Sequence, residues 1–327
     1  MVADNSSPRI LVSIGDVGRG DVALAGGKGA NLGDLVKAGI PVPPAFIVTV
    51  PAYLKFAESI GLIQQINRML ARLDVNNNEQ LERTATDLKA LIMGESMPSR
   101  LCEAILQQYA GIGAGPVAVR SSATAEDLAE ASFAGQQASF LNVEGEEEVV
   151  LAVQRCWASL FEPRAIFYRA KAGVPVEQLG IAVVVQRMVQ SDCSGVAFTL
   201  DPVTNDPRRV VIEAVWGLGE AAVSGVVTPD MYVVDKASGR LLDRCVTPQE
   251  QQLVRDADST GEDKTGWSMV PTERRSKQKL SDDEARELAA MARRVEEHFG
   301  CPQDIEWACE GGSFYIVQAR PVTTTNM

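Results

Sequence analysis

The densest set of residues suited to phosphate chemistry lies near the end of the chain. The run DIEWACEGGSFYIVQAR places two apolar-polar stretches around a Gly-Gly pair, the pattern of a β-hairpin. If its loop holds three residues centred on Gly312, Glu306 faces Gln318 and Asp304 faces Arg320. Side chains alternate along a strand, so all four then project from one face. Two carboxylates, an amide and a guanidinium on one wall suit a Mg²⁺–triphosphate site. Hard oxygens serve the cation, and arginine serves the phosphate charge. The same four residues also suit a solvated edge hairpin carrying an Asp–Arg pair of little energetic value.

Two basic residues far upstream have settings that suit the same chemistry. Arg120 lies in PVAVRSSATAEDLAEASFAGQQ, a short apolar strand running into a hydroxyl-rich turn and a small-residue loop around Ala134 and Gly135. A guanidinium beside a loop of little bulk suits phosphate oxygens, because its planar fork and nearby backbone N–H groups all donate. The alternative is a pairing of Arg120 with Glu126 or Asp127. Lys28, in GGKGANLG, sits where a glycine-rich loop meets a helix N-terminus. Backbone donors, the helix dipole and an ammonium there converge on an anion. The Walker A order is absent, and an exposed loop lysine is the other reading. Gln186, Arg187 and Met188 end a buried strand whose crevice would take an adenine, unless it is simply a strand leaving the core. Glu213 and Glu220 would add charge behind the site. His298, in VEEHFG, closes a helix and is expected to cap its carbonyl end.

These residues need strands and helices to hold them. The first part alternates the two. After the strand ILVSI, a glycine loop opens a helix that Gly39 closes, and IPVPPAFIVTV is a proline-punctuated loop and strand. Apolar spacing predicts helices over about 51–60, 62–73, 79–93 and 98–109, with breaks at Gly61, Gly94 and Gly111. SFLNV is a strand, and EEEVVLAVQRCWASLF an amphipathic helix burying Val149, Val153, Cys156, Trp157 and Leu160. A second part begins near Gly180 with the buried strand IAVVVQRMV, followed by GVAFTLDP, RVVIEAVWGLG and MYVVD as further strands. Residues 250–280 are polar and aperiodic and read as a mobile connection or an exposed loop. A helix over about 282–299 opens with a Ser281–Glu284 capping box and stops at Gly300.

Composition narrows the function classes. At 327 residues the chain has ample core for two globular units or one large one. A net charge of −12 argues against a nucleic-acid-binding body but not against a nucleotide, which needs only a few local cations. No apolar run approaches a membrane span. The opening MVADNSSPRI lacks the basic and apolar regions of a secretion signal. The six cysteines are scattered without a CxxC pair, which points to reduced thiols and a cytoplasmic address.

The segment 116–137 resembles, nearly word for word, the nucleotide-binding domain of phosphoenolpyruvate synthase, pyruvate phosphate dikinase and rifampin phosphotransferase. GGKGANLG and CPQDIEW share that likeness and lean toward the synthase and the rifampin enzyme. The resemblance implies an α/β (α+β), ATP-grasp-like fold. Two subdomains, residues 1–185 and 186–327, would clasp Mg²⁺ and ATP between them. It implies that Lys28 and Arg120 contact the phosphates and that Gly135 and Ser139 lie in the loop over the triphosphate, where relatives often carry Thr for Ser139. Gln186 and Met188 would lie in the nucleotide pocket. Glu306, Gln318 and Arg320 would bind nucleotide, and Asp304, Glu306 and Gln318 the metal. Lys28, Arg120 and Arg320 would act in catalysis by stabilising phosphate charge.

The implied chemistry ends with AMP, one phosphate on a histidine carrier and another released. His298 lies outside any carrier motif, and neither a histidine domain nor an acceptor region is legible in these residues. A histidine-bearing phosphocarrier and a small-molecule acceptor are therefore expected as partners, with no nucleic acid and no membrane. Two other readings stay open: a non-catalytic adenine-nucleotide module that regulates a partner, and a ligase that forms an acyl phosphate.

Overall fold

A computed structural model describes residues 9–124, 138–172, 180–256, 258 and 264–322. They fall into two units, Met1–Gly33 with Pro44–Met188, and Asp34–Pro43 with Val189–Met327.

In the first unit, short apolar strands build an antiparallel sheet. β1 is Leu11–Ser13, β2 Ala45–Val48, β3 Val117–Ala123, β4 Ser139–Val143 and β5 Ile181–Arg187, in the order β1-β2-β5-β3-β4. The helices are α1 (Val22–Lys37), α2 (Val50–Ser59), α3 (Leu62–Leu70), α4 (Asn78–Met93), α5 (Ser99–Gly111), α6 (Glu146–Ala158) and α7 (Pro163–Ala172). From Asp34 onward α1 counts with the second unit. α4 shows why such helices form. The Asn77 side chain accepts from the Gln80 N–H at 3.1 Å, and Leu81, Ala85, Leu88 and Ile92 bury one stripe. α6 buries Val149, Val153, Cys156 and Trp157, and Trp157 packs 5.0 Å from the Phe56 ring.

The apolar run IAVVVQR is buried as expected, but as the middle strand of this first sheet, between β2 and β3, not as the opening of a second part. Its residues Ile181, Val183 and Val185 enter the helical core with Phe46, Val48, Val117 and Val119. By alternation, Ala182, Val184 and Gln186 face the other side, with Ile47, Arg120 and Ser122.

The second unit holds a six-stranded antiparallel sheet in the order β13-β12-β6-β7-β8-β9. Here β6 is Cys193–Phe198, β7 Arg209–Trp216, β8 Asp230–Asp235, β9 Leu241–Cys245, β12 Gln303–Glu310 and β13 Ser313–Pro321. The short helix α8 (Glu220–Val223) follows β7. The long helix α9 (Asp282–Phe299) packs on the sheet through Ala285, Leu288, Ala292 and Val295. Its capping box forms as expected: Ser281 N–H donates to Glu284 Oε2 at 2.7 Å, and Ser281 Oγ accepts from Glu284 N–H at 3.3 Å. Its last carbonyls are met by Gly300 in the left-handed region, whose N–H donates to Glu296 O at 2.7 Å. His298 lies in the last turn, two residues before that glycine, with Nε2 3.7 Å from Asp34 Oδ2.

Among the described residues of 250–280, part is not loop but strand. β10 (Gln251–Arg255) and β11 (Thr265–Met269) pair antiparallel. Polar and apolar residues mix on both faces of this ribbon, which erases the period-2 signal. Downstream, Lys279 is fully buried: its Nζ donates to Asp230 Oδ1 at 2.7 Å, and its backbone N–H donates to Asp230 Oδ2 at 2.9 Å. The Asp230 carboxylate also accepts from Tyr232 Oη at 3.1 Å and from the Thr247 N–H at 2.9 Å. A lysine in a polar run gives no sign of burial, because only a partner carboxylate makes that burial tolerable.

The terminal hairpin also differs from expectation at its turn. The loop has two residues, Gly311 and Gly312, with φ of +57° and +77°, in place of three centred on Gly312. Two successive positive φ values are what a tight hairpin turn with the right strand twist demands, and glycine supplies both. A bulge then shifts the register, so that Trp307 pairs Ile316 while Glu306 pairs Gln318. The expected pairs survive because the bulge restores the offset that the shorter loop removes.

Candidate functional site

In the second unit, Glu306 stands opposite Gln318 and Asp304 opposite Arg320. All four are partly exposed, while the intervening Ile305 and Ala319 are buried, so the four share the open face of the sheet. The Arg320 guanidinium grips one carboxylate oxygen, Asp304 Oδ2, with one nitrogen at 2.9 Å and another at 2.8 Å. Burial holds the Asp304 carboxyl above its usual range and the Glu306 charge adds to this, while Arg320 pulls the other way. One row on, Glu306 pairs Val196 on β6, and Val196 pairs Glu213 on β7. Glu213 therefore lies on the same face, two strands or about 10 Å from Glu306. Burial and then the Asp304 charge push its carboxyl up as well.

Mutually repelling carboxylates with a carboxamide form a hard-oxygen set that gains from a cation. Among the described residues, no group of three or more His, Cys, Asp or Glu is arranged to hold a metal. A cation on Asp304, Glu306 and Gln318 would complete its shell from phosphate oxygens and water, the ordinary habit of Mg²⁺.

The first unit gathers a second set on one face of its sheet. Arg120 stands between Ser139 on β4 and Val184 on β5, and Gln186 lies diagonally across, opposite Ala118. Lys28 reaches the same strand from α1 and is nearly buried. Its Nζ donates to Ser121 O at 3.1 Å. Gln186 is 2% exposed, and its Nε2 has no hydrogen-bond partner among the described residues. An unmet buried amide donor is costly, and a ligand oxygen or a water would satisfy it. The N–H groups of Arg187 and Met188 are already spent, each at 2.9 Å, on Pro44 O and Pro116 O. An adenine there would rely on side chains and carbonyls, not on those two amides.

Residues 22–327 match the family described as "Pyruvate phosphate dikinase, AMP/ATP-binding domain". The chain belongs to that family. It is 48% identical over 315 residues to a probable phosphoenolpyruvate synthase of Methanothermobacter thermautotrophicus, covering 94% of this chain and 45% of that protein. It is 41% identical over 355 residues to the phosphoenolpyruvate synthase of Pyrococcus furiosus, covering 94% and 43%. It is 42% identical over 322 residues to the rifampicin phosphotransferase of a Streptomyces species, covering 97% and 36%. The chain thus spans less than half the length of each of these relatives.

For a member of the dikinase nucleotide-binding family, the residues singled out by sequence divide between the two units. Lys28, Arg120, Ser139 and Gln186 share one sheet face of the first. Asp304, Glu306, Gln318 and Arg320 share one face of the second. Gly135 lies outside the described residues. Met188 follows β5 and is half-buried. Glu220 opens α8. Glu213 was expected only as added charge and Ser122 was given no role, because each depends on long-range contacts. Glu213 joins the carboxylate face only through the strand order β12-β6-β7, and Ser122 meets the Lys28 helix across 93 positions of chain.

Proposed function

We propose that this chain binds Mg·ATP and carries out the nucleotide half of a dikinase-type phosphotransfer. The observation that supports it most is the hairpin register, which sets two carboxylates, a carboxamide and a guanidinium side by side on one strand pair. In this reading the fold is ATP-grasp-like, and each residue set serves nucleotide or metal binding. Asp304, Glu306 and Gln318 hold Mg²⁺, which when bound neutralises charge on the triphosphate. Arg320 and Arg120 bind phosphate oxygens through their planar forks, and Lys28 adds a point charge. Ser139 adds a hydroxyl toward the phosphates. The unmet Gln186 amide donates to the base or sugar.

ATP, a carrier histidine and water give AMP, phosphohistidine and inorganic phosphate. The relatives named as synthases and as a transferase favour this over a non-catalytic sensor. The carrier histidine belongs to a separate domain, and a small molecule takes the phosphate finally. No helix among the described residues is long and apolar enough to cross a membrane, and six thiols without a disulfide favour a reducing, cytoplasmic setting.

The test mixes the chain with ATP labelled on the β- and γ-phosphates and a separately made histidine domain from a relative. Acid-labile label on that domain, absent with an Arg120→Ala variant, is the expected result. No label above the Arg120→Ala background would overturn the transferase reading.

A further inference from the structure

We propose that Ser122 is a positioning residue: its buried hydroxyl caps the Lys28 helix from another strand and so holds Lys28 against the strand of Arg120. This rests on the reading of Lys28 and Arg120 as phosphate-binding groups.

The sequence around Lys28 is unusual for a helix start. α1 breaks at Gly26, where φ is +67° and ψ 173°, and resumes at Gly27. A resumed helix needs a cap, because its first N–H groups have no partner within it. An ordinary N-cap residue supplies that partner from its own side chain, to the amide two or three positions on. Gly26 has no side chain to offer. The Gly29 N–H, three residues on, donates instead to Ser122 Oγ at 3.1 Å. The same hydroxyl donates to Ala25 O, on the other side of the break, at 2.9 Å. Ser122 therefore meets both sides of the break with one oxygen, using its donor and an acceptor position.

Steric fit makes the two residues a single device. A Cβ at position 26 would lie 2.3 Å from Ser122 Oγ and 2.1 Å from Ser122 O, so the missing side chain is what admits the hydroxyl. Ser122 is fully buried, which makes an unmet Gly29 amide or Ala25 carbonyl expensive. Ser121, one position earlier on β3, accepts from Lys28 Nζ. Consecutive residues directly after Arg120 thus hold the helix backbone and its lysine. The relative placement of the two cations follows from that clasp.

The experiment titrates ATP and adenosine into the unaltered chain and into Ser122→Ala, Ser122→Thr and Lys28→Met variants. Ser122→Ala should weaken ATP by about tenfold or more, a readily measured step, while adenosine binding changes less than about twofold. Ser122→Thr, which keeps the hydroxyl, should recover most of the ATP affinity. Equal weakening of both ligands would show a merely structural residue and overturn the proposal. So would an unchanged ATP affinity in Ser122→Ala beside a weakened one in Lys28→Met. Unchanged ATP affinity in Lys28→Met would instead bring down the phosphate-site reading itself, and the proposal with it. Should Ser122→Ala not fold, amide hydrogen exchange on the unaltered chain decides. Protection of the Gly29 amide at the level of β3 amides supports the clasp, and exchange as fast as an open first-turn amide overturns it.

Discussion

Glu306 and Glu213 share the open sheet face of the second unit but should answer substitution differently. Glu306→Ala should reduce cation-dependent ATP affinity at least about tenfold while moving folding stability by no more than about 0.5 kcal/mol, as expected for a partly exposed position away from the core. Calorimetric titration with and without Mg²⁺, beside chemical denaturation, checks both halves. Intact cation dependence would remove Glu306 from the site. Glu213 is governed by its raised carboxyl, caused first by burial and then by Asp304. For an acid whose folded value lies above its unfolded one, the stability penalty is absent below the unfolded value, about pH 4.3. It is complete above the folded value. Glu213→Gln should therefore melt above the unaltered chain at pH 7 and level with it near pH 4. A lower melting point at pH 7 would mean that the carboxylate makes contacts worth more than its desolvation. At this scale the sequence was informative where partners lie close along the chain. Asp304, Glu306, Gln318 and Arg320 sit on one hairpin, so alternation alone put them on one face. Ser122 was silent, because a hydroxyl near a helix start leaves no periodic trace, and Glu213 was legible only as added charge, because its place two strands from Glu306 depends on strand order.

Helices and strands were legible wherever one face is uniformly apolar. α4 is the plain case, with its stripe of Leu81, Ala85, Leu88 and Ile92, and α9 shows both of its ends in Ser281–Glu284 and Gly300. The misread elements share a cause, which is stabilisation by particular partners and not by a stripe. The β10–β11 ribbon is followed by a segment fastened through Lys279 and Asp230, and the Gly311–Gly312 turn is tighter than a three-residue loop. Lys279→Met should make the first of these visible. It strands Asp230 as a buried charge and removes the bonds from Lys279 Nζ to Asp230 and to the Thr247 carbonyl. Breaking one side of a buried pair costs about 3–5 kcal/mol, and urea denaturation should show a loss of that size. A loss under about 1 kcal/mol would show that water or a rearranged neighbour already compensates Asp230.

On the scale of the molecule, the units interleave in sequence: Asp34–Pro43 counts with Val189–Met327 although Pro44–Met188 lies between them. Within the second unit, the Ile316 N–H donates to Pro41 O at 2.8 Å and the Arg294 guanidinium to Gly39 O at 3.3 Å. A fragment ending at Met188 loses these partners. Limited proteolysis should cut it within 34–43 at least about tenfold faster than the whole chain, since exposed unbonded backbone is where nicking concentrates. Equal resistance would mean that those residues are held without the second unit. Local order thus follows from the residues themselves: apolar spacing raises the helices, alternation raises the strands, and the carboxylate-guanidinium hairpin faces one way because side chains on a strand must alternate. Tertiary structure alone decided that the strand ending at Gln186 runs through the middle of the first sheet, that Glu213 joins the carboxylate row, and that Ser122 caps a helix it is not part of. Each of these depends on strand order and on contacts across long stretches of chain. A hydrogen bond between residues 93 positions apart imposes no pattern on the sequence between them.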